Sequence, residues 1–204
     1  ACTALDQTAS HPAAYRKQVL NYVTTDTVCY WDDPTTDRIL HRRQEEAWND
    51  LYAHIESSFG ETMTKAMGAP EGMIMARNSV TAGMPLTKEL QDKCRAWVDT
   101  LDAWHLTALH SAASEAKNFW VAWALMDQQQ VQQKEREEAE QPEQTTSPFA
   151  KDLTKAIEAA RVEEEFQISS WGLVEGQHDY DRLNCAVQLH AAVLLTDSVA
   201  LTYK

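Results

Sequence analysis

Apolar positions recur along this chain at the three-to-four spacing of amphipathic helices. After His11-Pro12, with the proline suited to a first helical position, Tyr15, Val19, Tyr22 and Val23 share one side of a helix. A second helix is expected from about Thr36 to Phe59. Ile39, Leu40, Ala47, Leu51 and Ile55 form its inner face, and Gly60 stops it. Thr87 is placed to cap a third helix, with its N3 position near Leu90 and with Glu89 adding favourable first-turn charge. Leu90, Cys94, Trp97 and Leu101 carry that helix's stripe. Asp102 then reads as the N-cap of "AWHLTALHSAASEA", and the following "FWVAWALM" is apolar on most faces, as at the centre of a bundle. The last part predicts helices from Phe149 to about Trp171 and from Tyr180 to about Ser198. In the latter, Leu183, Val187, His190, Ala191 and Leu194 again fall three and four apart.

Three stretches interrupt the pattern. "DTVCYW" (Asp26 to Trp31) is β-branched and aromatic, ends at "DDP", and reads as a short extended segment. Residues 61–85 hold Gly68, Gly72 and Gly83, Pro70 and Pro85, and Met63, Met67, Met73 and Met75; they read as a long irregular loop. Residues 128–148, "QQQVQQKEREEAEQPEQTTSP", are polar and low in complexity, and read as a flexible acidic insertion. The expected fold class is therefore all-α: one helical domain over residues 1–204, an orthogonal bundle with one short extended segment and one long irregular loop.

Composition narrows what such a bundle can do. With 44% apolar residues over 204 positions, a sizeable core forms; six glycines and six prolines are too few for a many-turned β sandwich. Eighteen basic residues oppose thirty-one acidic ones, for a formal charge of −13. That field repels nucleic acid and anionic membranes, and the basic clusters (Arg38, His41, Arg42, Arg43; Lys88, Lys93, Arg95) lack interleaved aromatics. A basic protein partner suits the same field. No apolar run is long enough for a membrane span. Cys2, Cys29, Cys94 and Cys185 are too scattered for a zinc site or disulfide framework, and read as core thiols.

Motifs for covalent chemistry are missing. There is no phosphate-cradling GxxxxGK[ST], no HExxH and no GxSxG. "HDYD" (His178 to Asp181) is the only local histidine–carboxylate group, and helix-start capping by Asp179 or Asp181 is the preferred account of it over metal binding. A metal-dependent hydrolase around His178 and Asp179 stays open at this point.

The run "VEEEFQISSWGLVEGQHDY" (Val162 to Tyr180) is the most distinctive. On a helix with Val162 and Phe166 facing inward, Glu164 points straight out while Glu163 and Glu165 flank the apolar seam. A flanking glutamate beside such a seam either solvates the surface or fixes register with a basic group of a partner. Trp171 closes the helix as a core residue or an interface anchor.

"EEEFQISSWGLVEGQHDYD" resembles the signature segment of the assembly chaperones for the F(1) head of ATP synthase, the kind that binds the α subunit (F(1) complex assembly factor two). "CTALDQ", "TTDTVCYW", "WNDLYAHIESSFG" and "LDAWHLTALHSAASEAKNFWVAWAL" resemble further family segments in the same order. The chain departs from the family pattern at Trp31, commonly arginine, at Asn118, often serine, and in the 128–148 insertion. The resemblance implies a chain that starts after the family's small β-rich N-terminal domain, a mitochondrial matrix address, no enzyme activity and no cofactor. It implies a chaperone that holds the unassembled F(1) α subunit until the β subunit replaces it; a monomer is expected. By position the family's acidic signature falls on Glu163, Glu164, Glu165 and Glu175, with Glu163 and Glu165 as carriers of partner recognition, and Trp171, His178 and Asp179 shaping the corner. A helical interaction scaffold with a different client is the alternative.

Overall fold

The computed structural model describes residues 2–32, 34–60, 87–127 and 153–202, with no β-strand among them. A π-helical turn (Ala4–Thr8) leads into α1 (Pro12–Val23), and a 3₁₀ turn (Thr27–Cys29) leads into α2 (Arg38–Phe59). Then come α3 (Lys88–Asp99), α4 (Ala103–Ala116), α5 (119–127), α6 (Leu153–Trp171) and α7 (Gln177–Thr202). The expected loop over 61–85 and insertion over 128–148 lie outside the described residues.

Local chemistry sets the helix ends. Asp37 accepts hydrogen bonds from Ile39 N and Leu40 N at the start of α2. Thr87 accepts one from Leu90 N, and Asp102 accepts from Trp104 N and His105 N, so both expected caps are in place. Gly60 ends α2, donating its N–H to Glu56 O at 2.8 Å.

The Asp26–Trp31 segment is extended at Asp26 and Tyr30 and closes a 3₁₀ turn between them. The reason is Asp26, whose Oδ1 accepts Val28 N at 3.0 Å and so draws the chain into a turn against its β-branched preference. The Asp26 Oδ2 accepts Phe119 N and Trp120 N, and Asn118 Oδ1 accepts Val121 N; together these fix the start of α5. Every residue from Phe119 to Met126 is buried, as the all-round apolar pattern requires.

Around α5 the described residues share one hydrophobic core. α4 packs on the first turn, α1, α6 and α7, most extensively on α7. Its buried Ala108, Ala112, Ala113 and Ala116 let neighbouring helices approach closely. α2 packs on α6, pinned where Trp48 Nε1 donates to Ala159 O at 2.9 Å. Trp31 lies in the same region, stacked on Tyr52 with a 5.5 Å centroid separation and edge-on to Trp48.

Two expected faces are turned differently. On α2, Ile39 is 64% exposed, and Gln44 and Trp48 join Leu40, Leu51 and Ile55 inside. On α7, Leu183, Val187 and Leu194 face solvent, while Cys185, Leu189, Ala192 and Thr196 are buried. The same three-to-four spacing that marks a core stripe here marks an outer one.

Candidate functional site

The acidic run sits in the second half of α6. Ala156, Ala159 and Val162 anchor the helix to the core, and Arg161 is buried beside them with only 7% of its side chain exposed. A buried guanidinium needs anionic partners. Glu164 and Glu165 supply them, one turn along the same helix: Arg161 Nη2 lies 2.6 Å from Glu164, and its Nε 3.5 Å from Glu165. Glu164 therefore folds back onto its own helix instead of pointing straight out. Glu165 is also gripped by Arg182 of α7, through bonds from both Nε and Nη2. Those bonds hold the Glu165 carboxyl below its ordinary range, outweighing partial burial.

Glu163 faces α2. Its Oε1 accepts from Gln44 Nε2 at 3.4 Å. Gln44 is fully buried and is held in turn by Asp32, whose N–H donates to Gln44 Oε1 at 2.8 Å. A little further along α6, Arg43 lies over the Phe166 ring and donates to Ser169 Oγ at 3.0 Å.

Trp171 ends α6 and is 79% exposed. The corner that follows turns on Gly172 (φ +95°) and Gly176 (φ +84°), where an L side chain would be strained. His178 Nδ1 accepts Val174 N at 3.0 Å, and Asp179 Oδ2 accepts Gly176 N at 3.4 Å. His178 and Asp179 thus tie down the corner and the start of α7, the capping alternative. Glu175 lies exposed on it. Beside these groups the surface is unusually apolar: Leu173 and Val174 on the corner are exposed, as are Tyr180, Leu183 and Val187 along α7.

An open groove of about 380 Å³ runs between α4, α6 and the start of α7 and brings together Glu163, Glu164 and His178. Glu165 borders a separate depression with Arg43, Glu46 and Glu158. Trp171, Glu175 and Asp179 line neither. Sequence reasoning passed over Gln44, Arg161, Arg182 and Lys117, all of which hold or line this region. The spacing of Arg161 to Glu164 and Glu165 in "RVEEE" was the available signal for one of them.

Residues 1–56 match the family model described as ATP12 chaperone protein. The chain is 21% identical over 180 residues to "Protein atp12, mitochondrial" of Schizosaccharomyces pombe, and 21% identical over 182 residues to "Protein ATP12, mitochondrial" of Saccharomyces cerevisiae. This chain is similar to the ATP12 chaperones. Each alignment takes in 88% of the chain and 52% of the yeast protein, so the chain spans about half the length of these ATP12 relatives. The fold agrees: the crystal structure of Atp12 from Paracoccus denitrificans superposes with a TM-score of 0.68 at 20% identity, over 96% of this chain and 68% of that one. A mutant of the same Atp12 gives 0.66 at 21% identity, over 95% and 69%. The all-α architecture read from periodicity is thus similar to the fold of these Atp12 structures where they superpose.

Proposed function

We propose that this chain is the helical part of an ATP synthase assembly chaperone that works in the mitochondrial matrix, holding the unassembled F(1) α subunit until the β subunit takes its place. It acts by reversible contact and carries out no covalent chemistry. The observation that carries this reading is the joining of two surfaces at the α6–α7 corner. Glu163, Glu164 and Glu165 are held in fixed positions by Gln44, Arg161 and Arg182, next to the exposed Trp171, Leu173 and Val174.

A lone subunit of a ring exposes an apolar face meant for its neighbour, and such a face promotes aggregation. A cover for it needs apolar area to compete with that self-association and charge to set orientation. It must also bind less tightly than the native neighbour, so that assembly displaces it. The ATP12 names of the relatives and the mitochondrial label of the two yeast proteins support the assignment.

The test is Glu163→Lys. The variant is expected to fold with wild-type helical content and to bind purified α subunit about tenfold more weakly or worse, as reversal of an interfacial charge does, with a matching loss of protection against α aggregation in light scattering. A folded variant that protects α at wild-type concentrations overturns the assignment of the site.

A further inference from the structure

No residue from 163 to 184 is buried. The last buried residue of α6 is Val162 and the first of α7 is Cys185. Between them the chain runs out along α6, turns at the corner and returns along α7. It carries Trp171, Leu173, Val174, Tyr180 and Leu183 in solvent. The α6 limb of this arm leans on α2, where Phe166 packs partly on the core under Arg43 and Ser169 takes a bond from Arg43. The tip leans on nothing: a side chain at Gly172 or Gly176 would meet no atom within 4 Å. The bonds of His178 and Asp179 stay within the corner.

Charge joins the α7 limb to the α6 limb. Arg182 donates from Nε, at 2.7 Å, and from Nη2 to the two oxygens of Glu165. Glu165 also lies 3.5 Å from Nε of Arg161, whose side chain is buried at the foot of the arm, and Nη2 of Arg161 is held by Glu164 at 2.6 Å. The tie thus runs from the core through Arg161 and Glu165 to Arg182. Glu164 and Asp179 add their attraction for Arg182. A guanidinium that grips both oxygens of a carboxylate fixes an angle as well as a distance, which the point charge of a lysine does not.

We infer that Arg182 is a positioning residue for client capture: by clamping Glu165 it sets the arm so that Trp171, Leu173 and Val174 of the corner meet the client together with Tyr180 and Leu183 of α7. The inference rests on the reading that this corner grips the α subunit. The gain is preorganisation. Apolar groups already held at the right spacing bind without first giving up the freedom of a loose arm. Glu165 then acts through Arg182 and not by touching the client, in contrast to the role proposed for Glu163. Since the pair lies at the surface, its loss costs the fold little and shows in binding instead.

Arg182→Gln and Arg182→Lys are both expected to weaken α-subunit binding about tenfold, because both lose the fork, while circular dichroism and the melting midpoint stay close to wild type. Glu165→Cys with Arg182→Cys removes both charges. It is made in a Cys2→Ser background, since the other cysteines are buried. Binding is expected to fall while the new thiols are free, and to return to within about threefold of wild type once a short bismaleimide bridges them. Wild-type affinity in Arg182→Lys overturns the clamp, since charge alone would then suffice. A bridged variant as weak as the unbridged one overturns it too, since the two side chains would then touch the client directly. A further measurement needs no client. In ¹⁵N relaxation, the amides of residues 167–180 are expected to show lower order parameters in Arg182→Gln than in wild type, with those of α4 unchanged. Lower values support the clamp even where the wild-type protein fails to bind the α subunit, a result that removes the α-subunit reading alone; values equal to wild type reject the clamp.

Discussion

Asp26 takes three backbone donors into a fully buried carboxyl: Val28 N at 3.0 Å, Phe119 N at 2.6 Å and Trp120 N at 2.9 Å. It is both the cap of its own turn and the cap of α5, more than ninety residues away. Asparagine has one acceptor oxygen where aspartate has two. Whichever way the amide of Asp26→Asn is turned, at least one N–H faces an NH₂ group, and stability in urea unfolding should fall by about 1–3 kcal/mol per stranded donor. The wild-type carboxyl also titrates. Burial raises it from an ordinary 3.8 to about 7, against the pull of the N–H groups of Trp120, Val28 and Phe119. Between those values the folded chain keeps a proton that the unfolded chain has released. The contribution is therefore complete below the unfolded value and is lost as pH rises through about 7. Since the amide does not titrate, the stability gap between wild type and Asp26→Asn should narrow from about pH 4 to about pH 8. A gap that widens over that range contradicts the assignment.

At the scale of single helices, α7 carries a surplus. Its inner face, Cys185, Leu189, Ala192 and Thr196, already completes the core, yet Tyr180, Leu183 and Val187 add a second apolar row toward solvent. The double change Leu183→Gln with Val187→Gln should leave the unfolding free energy within about 0.5 kcal/mol of wild type, the usual range for surface substitutions, while binding to the proposed α-subunit client drops by more than tenfold if the row is part of the contact. A large loss of stability would mean the row is a core face instead. This row also marks where the sequence ceases to be informative. Periodicity reports that a helix has an apolar side; it does not report what covers that side. Leu90 and Cys94 on α3 repeat in the same way and are buried. Helix boundaries were more legible, because Thr87, Asp102 and Gly60 act on neighbours within a few residues. Gln44 and Arg161 were not, since their burial depends on partners supplied by other turns and other helices. The site was legible to the same degree: the acidic run and the tryptophan could be picked out, whereas the groove, assembled from α4, α6 and α7, could not.

For the molecule as a whole, a charge of −13 accompanies an exposed apolar corner. The charge keeps such a surface dispersed in water and draws in a partner with basic groups. If that negative field steers the encounter, association with the proposed α-subunit client should slow by about tenfold or more between low and high ionic strength, with dissociation much less affected, in stopped-flow fluorescence. Insensitivity to salt would leave the apolar corner as the sole source of recognition.

The pairing of α4 with α7 has a consequence for how the molecule is made. About sixty residues separate the end of α4 at Ala116 from the start of α7 at Gln177, an interval of about 3–12 s at ordinary rates of translation. Throughout that wait the alanine-rich side of α4 emerges from the ribosome with its main cover not yet synthesised. A chain proposed to shelter another protein's unfinished surface spends its own birth with one to hide.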